Sequence, residues 1–222
     1  GQEGVVVLSQ FNLNGRDKKS LRNGQNYLLK NGYRTEFASP PHSETLLNEL
    51  KNISDEWLIS NNRKEISFSQ GVFDKDILRA QELIITYDQN NQPLAFLNII
   101  PSFRKGECTY DLIRKRKFTP GGIQDALILK MIEYAKEKEF QTLNMGMAPF
   151  SGINQPQNIA EAMTNFLHHK LNVFKRFKGL REFKAKYVSE WTYRYLLYDR
   201  DIDIIAIIIA LNKTFRPLKN ED

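Results

Sequence analysis

The chain has 222 residues, 41% hydrophobic and 26% charged, a composition that supports a buried core and leaves no segment compositionally disordered or low in complexity. Lys and Arg number 32 against 26 Asp and Glu, a net charge of +6, and the basic residues cluster at 16–22, 114–117 and 170–186. That bias favours an anionic partner such as nucleic acid or an acidic membrane face, and the single cysteine, Cys108, excludes an intrachain disulfide framework or thiolate metal cluster.

No signal peptide opens the chain and its first residue is not Met, so the expectation is a piece of a longer protein. GVVVLSQFNL reads as a strand. Asn14 is then placed to cap a helix from about Arg16 to Lys30, stopped by the turn at Asn31 and Gly32. Leu21 and Leu28 give that helix a thin apolar face among Arg16, Lys18, Lys19, Arg22 and Lys30. It suits a connector between domains or a nucleic-acid contact, and the two readings are compatible. Ser43 is the expected N-cap of the next helix, whose buried stripe is Leu46, Leu50, Ile53 and Trp57. A turn at Gly71 leads into a short helix near Asp74 to Ala80.

The period then changes. ELIITYD, QPLAFLNIIPSF and ECTYDLIR are β-rich runs separated by turn residues, as in an antiparallel meander. Ile123, Leu127, Met131 and Ala135 predict a helix, and TLNMGM predicts a strand after it, which implies a parallel crossover. Residues 158 to about 177 read as helix, REFKAKYV with WTYRYLLYD as a terminal hairpin, and IDIIAIIIAL (202–211) as a core-docking helix too short to span a bilayer. The fold class is α+β: a GNAT-like acyltransferase fold, with a mixed central sheet flanked by helices and an N-terminal basic connecting helix. The expected division is 1–34 for strand and connecting helix and 35–222 for the transferase unit.

Arg114, Lys115, Arg116 and Lys117 precede Gly121 and Gly122 at the predicted start of a helix. Unpaired N–H groups, the helix dipole and close backbone approach at glycine make phosphate the natural ligand there. A solvated basic turn fits the same residues. Asp111 and Arg114 are three apart, so they lie on opposite faces of a regular strand and share a site only if the strand ends or bulges between them. The carboxylate suits an amino group and the guanidinium suits phosphate or an oxyanion; a surface ion pair is the competing account. In the strand reading of REFKAKYV, Lys184 and Lys186 share a face opposite Phe183, Ala185 and Tyr187. His168 and His169 are adjacent, which gives no metal pair, and Cys108 has no base at recognisable spacing.

The segments LRNGQNYLLKNGY, ISDEWL, FSQGVFD, AFLNIIP, DLIR, NMGMAPFSG and FKGLREFKAKY, followed by RYLLY, together resemble the C-terminal catalytic region of the aminoacyl-phosphatidylglycerol synthases, the phosphatidylglycerol lysyltransferase family. The resemblance implies transfer of an amino acid, lysyl or alanyl, from aminoacyl-tRNA to the head group of phosphatidylglycerol, with resistance to cationic peptides as a result. No cofactor or metal is implied. It further implies work at the cytoplasmic face of the membrane, behind a first GNAT-like domain and a membrane region that this sequence lacks. Asp111, Arg114 and Lys186 look like the active-site residues, with Asn144, Gly146, Met147, Ser151 and Lys184 lining the pocket. Arg116, Lys117, Gly121, Gly122, Arg16, Lys18, Lys19 and Arg22 would then face lipid phosphate or the tRNA acceptor end. The competing functions are another tRNA- or CoA-dependent GNAT-type transferase, acting on a peptidoglycan precursor or protein amine, and a docking module without catalysis.

Overall fold

A computed structural model describes residues 1–65, 71–149, 151–152 and 172–200, with Asp203, Ala206, Ile207, Ile209 and Ala210. In chain order the elements are β1 (Gln2–Val7), α1 (Lys19–Lys30), β2 (Arg34–Ala38), α2 (Glu44–Ser60), α3 (Lys75–Arg79), β3 (Leu83–Tyr87), β4 (Pro93–Ile100), β5 (Glu107–Lys115), α4 (Ile123–Glu137), β6 (Thr142–Ala148), α5 (Asn172–Ala185) and β7 (Glu190–Tyr193). The strands form one mixed sheet in the order β2-β3-β4-β5-β6-β1-β7. This is the expected α+β arrangement, with an antiparallel meander β3–β4–β5 and a parallel β5–α4–β6 crossover.

Both faces of the sheet are covered. On one, α4 contributes Leu127, Met131 and Ile132 to a core with Ile84, Leu97, Cys108, Leu143 and Met145. On the other, Leu47, Leu50 and Ile53 of α2 and Leu78 of α3 meet Leu83, Ile85, Phe96 and Leu112. The continuous apolar run of β3 follows, because a strand covered on both sides has no solvent face on which to alternate. Ser43 caps α2 as expected, its side chain accepting from the Leu46 N–H. The α2 stripe is shifted slightly: Leu47 is buried, and Trp57 is half-buried under two arginines.

Several boundaries differ from expectation. α1 begins at Lys19, and Asn14 does not cap it; the Asn14 N–H is bound locally to Asn12 Oδ1, a turn that competes with capping. Leu21 and Leu28 are buried as predicted, and β1 lies inside the sheet between β6 and β7. β2 was not anticipated. It is an edge strand paired only with β3, and RTEFA carries no alternating apolar signal. The larger correction concerns the expected terminal hairpin. Residues 181–185 complete helix α5, and only Glu190–Tyr193 form a strand, which pairs with β1. Five residues of apparent alternation do not distinguish a strand from a helix end, and Arg, Glu, Lys and Ala are good helix formers. Residues 158–171, with His168 and His169, lie outside the described residues. Of 202–211, the described positions are helical and Ile209 is exposed.

Gly122 joins the sheet to its main helix. It occupies the N-cap of α4 at φ +85°, and an added Cβ would lie 3.3 Å from Gly24 Cα of α1. The two glycines therefore let α1 pass close over the start of α4. Gly122→Ala combines left-handed strain with this backbone contact, so it should cost about 1–2 kcal/mol of stability in urea unfolding, with little loss at Gly121, where a Cβ meets nothing within 4 Å.

Candidate active site at a break between two parallel strands

β5 and β6 pair only over Glu107–Thr109 and Thr142–Asn144, although both strands run on. Each bulges just beyond that point. In β5, Leu97 faces Ile113 but Ile99 faces Tyr110, so Asp111 and Leu112 together oppose the single residue Asn98. The Asn98 side chain repairs the ladder: Oδ1 accepts from the Leu112 N–H at 2.7 Å, and Nδ2 donates to Gln81 Oε1 at 2.8 Å. In β6, Glu3 faces Met147 while Val5 faces Asn144. Gly146 takes up the extra residue at φ +75°, and its N–H donates to Asn144 Oδ1 at 2.8 Å.

The β5 bulge resolves the question of spacing. It resets the alternation, so that Asp111 and Arg114 both turn toward the α2 and α3 side of the sheet. Asp111 Oδ1 accepts the Gly71 N–H at 3.0 Å. A Cβ on Gly71 would fall 1.7 Å from Asp111 Oδ2, so glycine is what allows the backbone at residue 71 to lie against this carboxylate. Beside it is a cavity of about 240 Å³ lined by Gly71, Val72, Ile77, Leu78, Gln81, Asn98 and Asp111. A carboxylate beside Val72, Ile77 and Leu78, with the Gln81 and Asn98 amides in the same wall, suits a primary ammonium on an apolar stem.

Arg114 is only 4% exposed, and its donors are engaged within the protein. Nη1 and Nη2 make a bidentate pair with Glu65 at 2.7 and 2.8 Å, Nη1 also donates to Ser54 of α2, and the guanidinium lies 5.4 Å from the Trp57 ring centre. Burial by itself raises the Glu65 carboxyl, but the hydrogen bonds and charge of Arg114, with the Phe73 N–H, bring it below its ordinary value. Glu65 and the Gly71–Asp111 contact thus pin residues 65 and 71–73 over the bulge from two points.

Lys184 and Lys186 part company at the end of α5. Lys184, 5% exposed, sends Nζ to the Met147 carbonyl at 2.9 Å, next to Gly146 and therefore against the β6 bulge. Lys186 pairs with Asp125 of α4 at 2.6 Å, and Tyr187 donates its hydroxyl to the same Asp125 oxygen. Burial, and then the Asp125 charge, push the Tyr187 phenol far up, so it stays a donor. Among the described residues no hydrogen bond or ion pair joins Lys186 to Asp111 or Arg114. Lys186 belongs to the α4 side of the sheet, with Lys18 donating to its carbonyl.

Of the remaining expected positions, Asn144 and Gly146 build the β6 bulge, Met147 is exposed beside it, and Ser151 binds the Ala148 carbonyl at 2.8 Å. The basic loop is partly neutralised from within. Arg116 pairs with Glu56 at 3.3 Å, the Lys117 N–H binds the same carboxylate, and Lys115 reaches Thr119. The Lys117 ammonium lies 5.1 Å from the Phe118 ring centre, and Gly121 is open. In α1 and its approach, Arg22 binds the Leu13 and Gly15 carbonyls, while Arg16 and Lys19 are exposed. Sequence reasoning passed over Glu65, Gln81, Asn98 and Asp125. Asn98 carried a usable signal, a lone amide inside the apolar run LAFLNII.

Two consequences can be measured. Glu65→Ala leaves a buried guanidinium without its counter-ion and should lower stability by about 3 kcal/mol, with Arg114→Lys also destabilising because one ammonium cannot reproduce the fork. Burial lowers the Lys184 ammonium from 10.5 to about 8. The folded protein then gives up this proton before the unfolded chain does, so stability rises with pH between about 8 and 10.5, by up to about 3 kcal/mol, and is flat in this respect below 8. Chemical denaturation across that range should show the rise, and Lys184→Met should remove it.

The family model for the C-terminal region of phosphatidylglycerol lysyltransferase matches residues 1–198. The phosphatidylglycerol lysyltransferase of Bacillus subtilis is 36% identical over 220 residues, covering 95% of this chain and 25% of that protein. The corresponding protein of Staphylococcus aureus strain MRSA252 is 30% identical over 223 residues, covering all of this chain and 26% of the relative. The chain thus spans about a quarter of the length of these curated relatives. The structure of L-PGS from Bacillus licheniformis superposes with a TM-score of 0.83 at 34% identity, over 97% of this chain and 65% of that one. A C-terminal domain from Agrobacterium fabrum gives 0.77 at 29% identity, over 95% of this chain and 64% of that one. Coverage of nearly the whole sequence by the family model, together with the same fold in two solved relatives, establishes that the chain belongs to the phosphatidylglycerol lysyltransferase C-terminal family.

Proposed function

We propose that this chain carries the catalytic centre for lysyl transfer from lysyl-tRNA to the glycerol head group of phosphatidylglycerol. The observation that carries the reading is the Asp111 carboxylate at a cavity lined on one side by Val72, Ile77 and Leu78, where β5 parts from β6. The reaction is an ester exchange. The bond between the lysyl carbonyl carbon and the ribose oxygen of the tRNA breaks, a bond to the lipid glycerol oxygen forms, and the glycerol proton ends on the ribose oxygen. Because the donor ester is already activated, the chemistry requires positioning and charge stabilisation rather than nucleotide hydrolysis.

In this scheme Asp111 receives an ammonium of the lysyl group, with Ile77, Leu78 and Val72 against its methylene stem. Arg114 is a positioning residue: it holds Glu65, which accepts the Phe73 N–H two residues from the Gly71 N–H that aims the Asp111 carboxylate. Lys186, partly exposed beside Asp125, and Lys117 with the open Gly121 supply cationic and N–H donors for phosphate of the lipid or the tRNA end. The donor is cytosolic, so the chemistry belongs to the inner leaflet. Adding a lysyl group reverses the charge of an anionic lipid and weakens the attraction of cationic peptides for the membrane. A donor such as alanine lacks the side-chain ammonium, and the lysyl names of the relatives favour the longer group.

The test is transfer of labelled lysine from charged tRNA into chloroform-extractable lipid, using the full-length protein. Asp111→Asn should reduce the rate by about a hundredfold while circular dichroism and unfolding stay close to the parent. A variant with the parental rate would remove Asp111 from the mechanism, and label transferred from an acyl-CoA instead of tRNA would overturn the donor.

A further inference from the structure

β6 ends, β1 begins and β7 ends at one edge of the sheet, because Ala148 and Tyr193 both pair with Gln2. β5, parallel to β6, ends on the same side and leads into the loop before α4. At this edge six large side chains are exposed: Phe118 after β5, Met147 in β6, and Tyr193, Tyr195, Leu196 and Leu197 at and after β7. Tyr195 is 81% and Leu197 91% exposed, and the rings of Tyr193 and Tyr195 stack with centroids 6.1 Å apart. Adjacent strands are about 4.8 Å apart, so residues at the ends of β6, β1 and β7 fall within roughly 10 Å of one another. Single exposed apolar residues are unremarkable, whereas a group at one end of a sheet, beside the open β5–β6 break, marks a contact surface.

The chemistry of the rim indicates its partner. Among the described residues at the rim, Arg194 pairs with Glu3 and Arg200 with Asp203, and Asp199 and Lys117 are exposed. Paired arginines and one lysine ammonium among these residues do not make the basic track that a nucleic-acid backbone follows. Two adjacent leucines offer no hydrogen bonds, and tyrosines place an apolar ring below a polar hydroxyl, the pattern of a bilayer interface. Exposed Lys117 flanks the rim at Phe118, and the overall charge of +6 complements an anionic leaflet. We propose that this edge of the sheet docks on an anionic glycerophospholipid bilayer, with Leu196, Leu197 and Tyr195 entering the interface and the β5–β6 break held over the head groups. The inference rests on the lipid-acceptor reading above. A diacyl lipid lifted wholly into water would expose its acyl chains, so a site that keeps the acceptor in the leaflet avoids that cost.

Vesicle sedimentation of the full 222-residue chain tests the proposal without any donor. Binding to vesicles of phosphatidylglycerol and phosphatidylcholine should exceed binding to phosphatidylcholine alone and weaken with salt. Leu196→Glu with Leu197→Glu should lower it by roughly tenfold or more. Phe103→Glu, in the β4–β5 turn at the opposite end of the sheet and fully exposed, should leave it unchanged. Equal binding by the leucine variant and the parent, or loss in the Phe103 variant instead, would overturn the assignment. So would a concentration-dependent dimer that the leucine variant abolishes while vesicle binding persists. Transfer to detergent-dispersed phosphatidylglycerol by the full-length protein separates the two ideas: activity there with lost vesicle binding supports docking, and vesicle binding without transfer to any lipid defeats the catalytic reading alone.

Discussion

β5 and β6 are hydrogen-bonded over three residues and then let go of each other in the middle of a seven-stranded sheet. Interior strands rarely leave backbone groups unpaired, and the protein accommodates the break with a bulge on each side. The β5 bulge lies in the β4–β5 ladder, where the Asn98 side chain of β4 accepts the Leu112 N–H. The β6 bulge lies in the β1–β6 ladder and is formed at a left-handed glycine, Gly146, whose N–H donates to the Asn144 side chain. The remaining features of the site follow from these two local adjustments.

The first follows from parity. One extra residue in β5 turns Asp111 to the face that already holds Arg114, so a carboxylate and a guanidinium three apart become neighbours in one environment. They nevertheless have different tasks. Arg114 is buried and engaged by Glu65, Ser54 and Trp57, and Glu65 in turn holds the Phe73 N–H. Asp111 borders open volume and retains acceptor capacity. A cluster that would read as a triad by residue type is, physically, one facing group and its support.

The second concerns α5. Its last turn delivers Lys184 to the Met147 carbonyl and the following residues to Asp125, so the end of one helix braces both the broken strand and the start of α4. Tyr187, buried in the α4-side core, anchors this junction. Positive charge near the site is therefore layered. Some of it, at Arg114, Arg116 and Arg22, is consumed in holding the loops, and Lys117, Lys19 and Arg16 remain toward solvent.

How much of this was written in the chain differs by element. The meander, the crossover helix, the Ser43 cap and the glycine turn before α4 were legible, because periodicity, turn residues and cap chemistry are local properties. Asp111 and Arg114 were legible as candidates, together with the condition that a bulge must lie between them. The helix that carries Lys184 was misread because five alternating residues satisfy both periods, and β2 was missed because an edge strand needs no apolar pattern. What tertiary structure alone decided is which side chains are already taken. Glu65, Ser54, Trp57 and Asp125 come from distant parts of the chain, and long-range pairing, not spacing, determines that Arg114 supports, that Lys186 faces α4, and that Asp111 borders the cavity.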